Sequence, residues 1–231
     1  MVYLAILIST VLHLYGTSAT PLQTVNGTIS IQIGTTAGCP DAVRFMTQVV
    51  PTFAKYKNFL NIEFVPWGRA RRNDDGSLTC QFGEPGCWAN RVHRCVLSLL
   101  SGNYEAKVQY MSCEFTEPFP AFRQRSLSCA RSVGVNLVDV DYCISTTGDA
   151  LEGRAEEISR AAVATINFIP FIIFNNNIDV NQHRQAYQRF ESTICFALAD
   201  DPSTGITHLS AATYPMNIMS LVLRCMFIRA F

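Results

Sequence analysis

A short alternating strand, Ile29-Ser30-Ile31-Gln32-Ile33-Gly34, leads at once into Cys39-Pro40-Asp41-Ala42, and this junction constrains the fold more than any other stretch. After Pro40 the apolar residues Ala42, Phe45, Met46, Val49, Val50 and Phe53 recur at the spacing of one buried helical face. Pro40 then falls at the first helical position, where its missing N–H costs nothing, and Cys39 falls at the cap. A sulfur there faces unpaired backbone donors and the positive end of the helix dipole, which predicts a lowered pKa and makes Cys39 a candidate nucleophile. The alternative is a half-cystine of a secreted protein. Pro51 lies inside the helical pattern and is expected to bend or shorten it. The apolar run from Asn61 to Trp67 follows as a second strand, so strand, helix and strand read as a βαβ unit with a parallel pair.

The chain has 231 residues, 48% of them apolar and 16% charged, enough for one sizeable core with an insertion. Formal net charge is zero, which argues against nucleic acid and against electrostatic attachment to an anionic membrane. Residues Val2 to Tyr15 form an apolar run closed by Thr17-Ser18-Ala19, read as a cleaved secretory signal over 1–19 and too short for a stable membrane span. Nine cysteines and the sequon Asn26-Gly27-Thr28 agree with an oxidising compartment and a surface glycan at Asn26.

Arg69 to Gly76 has no apolar period and reads as a solvated loop. Beyond it, Cys80, Cys87 and Cys95 lack the short spacings of zinc knuckles and read as disulfide partners. Trp88, Val92, Cys95, Val96 and Leu99 mark a helix, on which His93 is expected to be exposed. Cys80-Gln81-Phe82-Gly83, then Cys87, Asn90 and Cys95, resembles the signature of the gamma-interferon-inducible lysosomal thiol reductases. That signature is Cys-Gln-His-Gly, two residues, Glu-Cys, two residues, Asn, four residues, Cys. Phe82 replaces its histidine and Gly86 its glutamate. The resemblance extends to Cys39-Pro40-Asp41, Pro66-Trp67-Gly68, Cys113-Glu114 and Ile169-Pro170, over about residues 28–198. It implies an α/β, thioredoxin-like fold (βαβ … αββα) over 28–199, with a mostly helical, disulfide-rich insertion at about 68–148. Residues 200–231 remain a tail without an assigned structure; their last stretch, Met216 to Phe231, is apolar but broken by Arg224 and Arg229.

Asp149 to Ile166 reads as a helix with Leu151, Ala155, Ile158, Ala161, Ala162, Thr165 and Ile166 inward and Glu152, Glu156, Glu157 and Arg160 in water. Asn167 to Phe174 gives a proline and a fully apolar strand, Ile178 to Val180 a returning hairpin strand, and His183 to Ala199 a closing helix. The resemblance implies a cis Pro170 facing the reactive cysteine, with the Ile169 backbone free to pair with a bound peptide. On propensity alone a trans proline opening a strand serves equally well.

With Cys39 set aside, Cys80, Cys87, Cys95, Cys113, Cys129, Cys143, Cys195 and Cys225 remain as structural disulfide candidates, and the sequence does not fix their pairing; Cys195 with Cys225 is one option. The family implies reduction of protein disulfides in endosomes and lysosomes or outside the cell by paired active-site cysteines. Here Ala42 occupies the position of the second one. Turnover through Cys39 therefore needs no bound cofactor or metal but does need an external thiol such as glutathione or free cysteine. The expected partners are disulfide-containing proteins and small thiols. The competing reading is a secreted, non-catalytic binding protein of the same fold.

Overall fold

The structure, a computed structural model, describes residues 20–208 and 225–227. The expected signal at 1–19 and most of the tail lie outside these residues.

Strand β1 (Ile29–Thr35) and strand β2 (Leu60–Pro66) pair in parallel, from Ile29 opposite Leu60 to Thr35 opposite Pro66. Helix α1 (Pro40–Tyr56) joins them. Alternation in β1 puts Ile29, Ile31 and Ile33 into the core, all essentially inaccessible, beneath Phe45, Met46 and Val49 of α1. Burying three such β-branched side chains contributes several kcal/mol, about 1.5–3 kcal/mol each. Helix α1 runs unbroken through Pro51 to Tyr56, contrary to the expected shortening. Pro51 is on the exposed face, as is Thr47, whose carbonyl loses the proline's bond, while Thr52, Phe53 and Tyr56 keep the inner face anchored.

Between β2 and the second half of the sheet lie a short hairpin, β3 (Arg71–Arg72) with β4 (Leu78–Thr79), and five helices. These are α2 (Gly83–Leu99), α3 (Tyr104–Glu114), α4 (Pro120–Gln124), α5 (Ser128–Ser132) and α6 (Leu137–Ser145). Disulfides Cys80–Cys87, Cys95–Cys143 and Cys113–Cys129 tie them together. Cys195 is disulfide-bonded as well, and the side chain of Cys225 lies outside the described residues.

Helix α7 (Gly148–Ile166) returns the chain to strand β5 (Phe171–Phe174), which pairs antiparallel with β1 and gives the order β2-β1-β5. Its inward line is Gly148, Glu152, Ala155, Ser159, Ala162 and Ile166, so the face is rotated from the expected one. Glu152 is 4% exposed rather than solvated, because Arg91 and Arg94 of α2 meet it at 2.8 and 2.9 Å. A paired carboxylate is held inside where an unpaired one is expelled.

The expected hairpin strand at 178–180 does not form. Asn175 and Asn176 both take positive φ, one bridge joins Phe174 to Asn177, and Asp179 then accepts from the N–H groups of Asn181 and Gln182. That cap starts helix α8 (Val180–Gln188) in place of a strand. The closing helix is accordingly two helices, α8 and α9 (Phe190–Ala199). A last antiparallel pair joins β6 (Ile206–His208) to β7 (Cys225–Phe227). No helix among the described residues is long and apolar enough to cross a membrane.

Gly34 sits directly opposite Phe171 in the sheet, and a Cβ at Gly34 would lie 2.0 Å from the Phe171 ring. Gly34→Ala is therefore expected to lower stability by about 1–3 kcal/mol, read as an earlier urea midpoint at unchanged slope.

Candidate active site

Cys39 is the free cysteine among the described residues. It caps α1 in extended geometry with Pro40 next, and the N–H of Val43 donates to its carbonyl at 3.1 Å. The preceding turn brings it back under β1: the Cys39 N–H donates to the Thr36 carbonyl at 3.2 Å, and Gly38 takes φ +83°. The Ile169–Pro170 peptide is cis, and the Cys39 thiol donates to the Ile169 carbonyl at 3.8 Å. Structure thus brings Cys39, Ile169 and Pro170 together from segments far apart in sequence.

The turn is held from below by Asn90 of α2, 2% exposed. Its side-chain oxygen accepts from the Ala37 N–H at 2.8 Å and its amide donates to Thr36 Oγ1 at 3.0 Å. The Trp67-Gly68 turn presses on the same loop: Trp67 N–H donates to the Thr35 carbonyl, and a Cβ at Gly68 would lie 2.5 Å from Thr36 Cβ. Arg94, one turn beyond Asn90, donates to the Pro66 carbonyl and pairs with Glu152, so the signature helix grips the ends of both parallel strands. Burial above all takes the Arg94 guanidinium down to about 10, with the charges of Arg91 and Arg72 adding to it and Glu152 opposing it, so Arg94 stays protonated at any physiological pH.

His93, expected in solvent, is 1% exposed. Helix α2 packs against α4, α6, α7, β2 and β4, and His93 itself meets α3, so the helix lacks the wet face that an amphipathic reading assumes. The imidazole lies 3.5 Å from Glu114 and edge-on to Tyr110, away from Cys39 in the α2–α3 interface.

Two aromatic groups flank the cysteine. Phe122 of α4 rests on Gly38, whose missing Cβ would lie 2.6 Å from the ring, and Phe82 meets Phe122 edge-on at 6.3 Å. Phe82 occupies the place of the signature's histidine, and Gly86, in the place of its glutamate, leaves only 3.3 Å between its missing Cβ and Phe82 Cβ. On the other side, Tyr187 of α8 stacks on Phe45, meets Phe168 edge-on at 4.8 Å and donates from its hydroxyl to Asp41 at 3.1 Å. His183 beside them is driven down to about 4, by burial and then by Arg184, so it is neutral and offers no cation to a thiolate.

Enclosure reverses the expected effect of the cap. Cys39 is 4% exposed, and desolvation pushes its thiol up, over the lowering by the N–H groups of Ala42 and Asp41 and with a further push from the Asp41 charge. A helix start lowers a thiol pKa where the sulfur stays partly hydrated. Here the sulfur gives up water on more sides than the two amides replace.

The other candidate residues fall elsewhere. Asn26 is exposed, at φ 52° in the turn bridged by Val25 and Thr28. The disulfide cysteines belong to the insertion and its helices, with Cys195 on α9. Asn90, Phe122, Tyr187 and Arg94 are the site residues that sequence reading missed. For Asn90 alone was there a signal, its fixed place in the spaced signature.

Asn90→Ala is expected to cost about 1–3 kcal/mol, because the Ala37 N–H and Thr36 hydroxyl lose their partner inside the protein. Thermal unfolding measures it. Phe122→Ala is expected to speed iodoacetamide labelling of Cys39 at fixed pH, as water reaches the sulfur; an unchanged rate excludes the ring as its cover.

The family profile described as "Gamma interferon inducible lysosomal thiol reductase (GILT)" matches residues 30–133. GILT-like protein 1 of Drosophila melanogaster is 26% identical over 223 residues, covering 84% of this chain and 86% of that protein. The gamma-interferon-inducible lysosomal thiol reductase-like protein of Anopheles gambiae is 25% identical over 184 residues, covering 71% and 74%. Among solved structures, oxidised BdbD from Bacillus subtilis aligns over 79% of this chain and 99% of its own at a TM-score of 0.50 and 13% identity, a likeness of fold. The fold is thioredoxin-like with a helical insertion, and over residues 30–133 the chain is similar to the gamma-interferon-inducible lysosomal thiol reductases.

Proposed function

We propose that the protein is a thiol-disulfide reductase that works through Cys39 alone, with an external thiol as reductant. The observation that carries this reading is the free Cys39 thiol at a helix start, 3.8 Å from the carbonyl before a cis proline, with alanine at position 42. The Cys39 thiolate attacks one sulfur of a substrate disulfide, forming a mixed disulfide and releasing the other sulfur as thiolate. A small thiol such as glutathione or cysteine then attacks the Cys39 sulfur, freeing the second substrate thiol. A second small thiol restores Cys39 and leaves as the oxidised dimer. Two external thiols are consumed for each substrate disulfide reduced. Ile169 and Pro170 supply the backbone edge along which an extended substrate pairs. The secretory pathway, ending outside the cell or in lysosomes, is the compartment that the disulfides and the family support, and Asn26 is an accessible position for a glycan there.

Burial of Cys39 supports a second reading, in which the chain binds extended segments without turning them over. Insulin reduction with excess glutathione separates the two: the reductase reading expects activity in the natural protein and background in Cys39→Ser. Equal rates remove the catalytic reading. Ala42→Cys is expected to raise turnover at low thiol, because an internal thiol replaces a bimolecular step. The raised thiol pKa sets the sign of the pH dependence. Labelling and reduction rates should climb steadily from about pH 5 to pH 9, with a midpoint above that of an exposed cysteine.

A further inference from the structure

A cavity of about 440 Å³ opens beside the Cys39 edge of the sheet, between the turn after β2, the start of the β3–β4 hairpin and the outer side of α7. Arg69, Arg71, Arg72 and Arg160 line it, against the one carboxylate of Glu156. Glu156 is shared, 3.4 Å from Arg72 and 3.3 Å from Arg160, and Arg72 also reaches the buried Glu152 at 3.6 Å. Arg69 spends its donors on neutral oxygens, the side chain and carbonyl of Asn167. Arg71 has no ion pair with any described residue. In the wall, Ser159 is 1% exposed and its hydroxyl has no hydrogen-bond partner among the described residues. The hairpin's own acids, Asp74 and Asp75, are exposed and do not line the cavity.

We propose that this cavity is a carboxylate-binding site that holds acidic groups of the molecule reacting at Cys39. A guanidinium fork matches a carboxylate with two parallel hydrogen bonds, and two of the four forks here have no anion of their own. The unpartnered Ser159 hydroxyl adds a neutral donor in the same wall. Position supports the assignment. Arg69 bonds Asn167, which opens the segment carrying Ile169 and Pro170, and Gly68 packs on Thr36 of the cysteine loop. A polypeptide paired with the Ile169 backbone has its neighbouring residues within reach of the arginines. The carboxylates of a small thiol such as glutathione offer the same chemistry. Glutamate and aspartate remain largely ionised down to about pH 5, so the site keeps its ligand charge in acidic compartments.

The inference rests on the reading of the Cys39 edge as the substrate face, but its test does not require a reactive thiol. The Cys39→Ser protein is titrated into a fluorescein-labelled, cysteine-free peptide carrying three glutamates, and into the same peptide with glutamines, with anisotropy as the readout. Binding is expected to be about tenfold tighter for the glutamate peptide at low salt and to weaken as salt is added. Arg71→Glu and Arg160→Glu, both at exposed positions, are expected to abolish that preference. Arg71→Lys should retain part of it, and Arg184→Glu on α8 should leave it intact. Circular dichroism verifies that each variant is folded. Displacement of the peptide by millimolar S-methylglutathione assigns the cavity to small carboxylate thiols, and resistance to it assigns the cavity to acidic polypeptide segments; either result supports the site. Equal binding of the two peptides, or a preference untouched by Arg71→Glu and Arg160→Glu, overturns it. Loss of insulin reduction with the peptide preference retained would instead remove the one-cysteine reductase reading and leave the cavity assignment standing.

Discussion

The hydrogen bonds of one buried amide hold the working edge of this protein together. Asn90 closes on Ala37 N–H and Thr36 Oγ1, and so fixes the loop that delivers Cys39 to the start of α1. It can do so only because α2 is itself immobilised. Disulfide Cys80–Cys87 pins the entry to that helix, Cys95–Cys143 pins its far end, and Arg94 ties its middle to the Pro66 carbonyl and Glu152. A neutral donor-acceptor pair in a dry interior carries a high penalty for misplacement, and this gives the loop a single geometry rather than several.

The insertion has a second effect, on the electrostatics of the sulfur. Helix starts are expected to favour a thiolate, and two backbone N–H groups do act that way on Cys39. Phe122, carried by α4, covers Gly38, and the apolar Phe82 stands where the family pattern has a titratable ring. Desolvation then outweighs the helix start. The three departures from the pattern, Ala42, Phe82 and Gly86, are chemically consistent with one another: no resolving thiol at 42, no imidazole at 82 and no carboxylate at 86. A site built this way favours the protonated thiol.

Periodicity and punctuation made the βαβ unit, the Cys39 cap, the helix after Asp149 and the β5 strand legible, because each is set by contacts near in sequence. The failures share a cause. His93 and Glu152 read as solvent-facing because single helices were assumed to have one wet side, and in a helix ringed by others that assumption breaks down. Pro51 reads as a helix breaker, but it lies on the exposed face, where its freed carbonyl meets water, and the burial of Thr52, Phe53 and Tyr56 holds the last turn in place. The expected strand at 178–180 lost to a local competitor, the Asp179 cap, which the hydrophobic pattern does not register.

By itself the sequence determined the likeness to the thiol reductase family, the thioredoxin-like architecture and the presence of one cysteine without its usual neighbour at position 42, since these depend on residue identity and spacing along the chain. Only the tertiary structure decided which cysteines pair, how Asn90 and the cis Ile169–Pro170 segment meet Cys39, and in which direction the thiol pKa moves. Those outcomes depend on what surrounds a residue in space. Phe122 and Gly38, or Arg69 and Asn167, lie far apart along the chain, and folding alone brings them together.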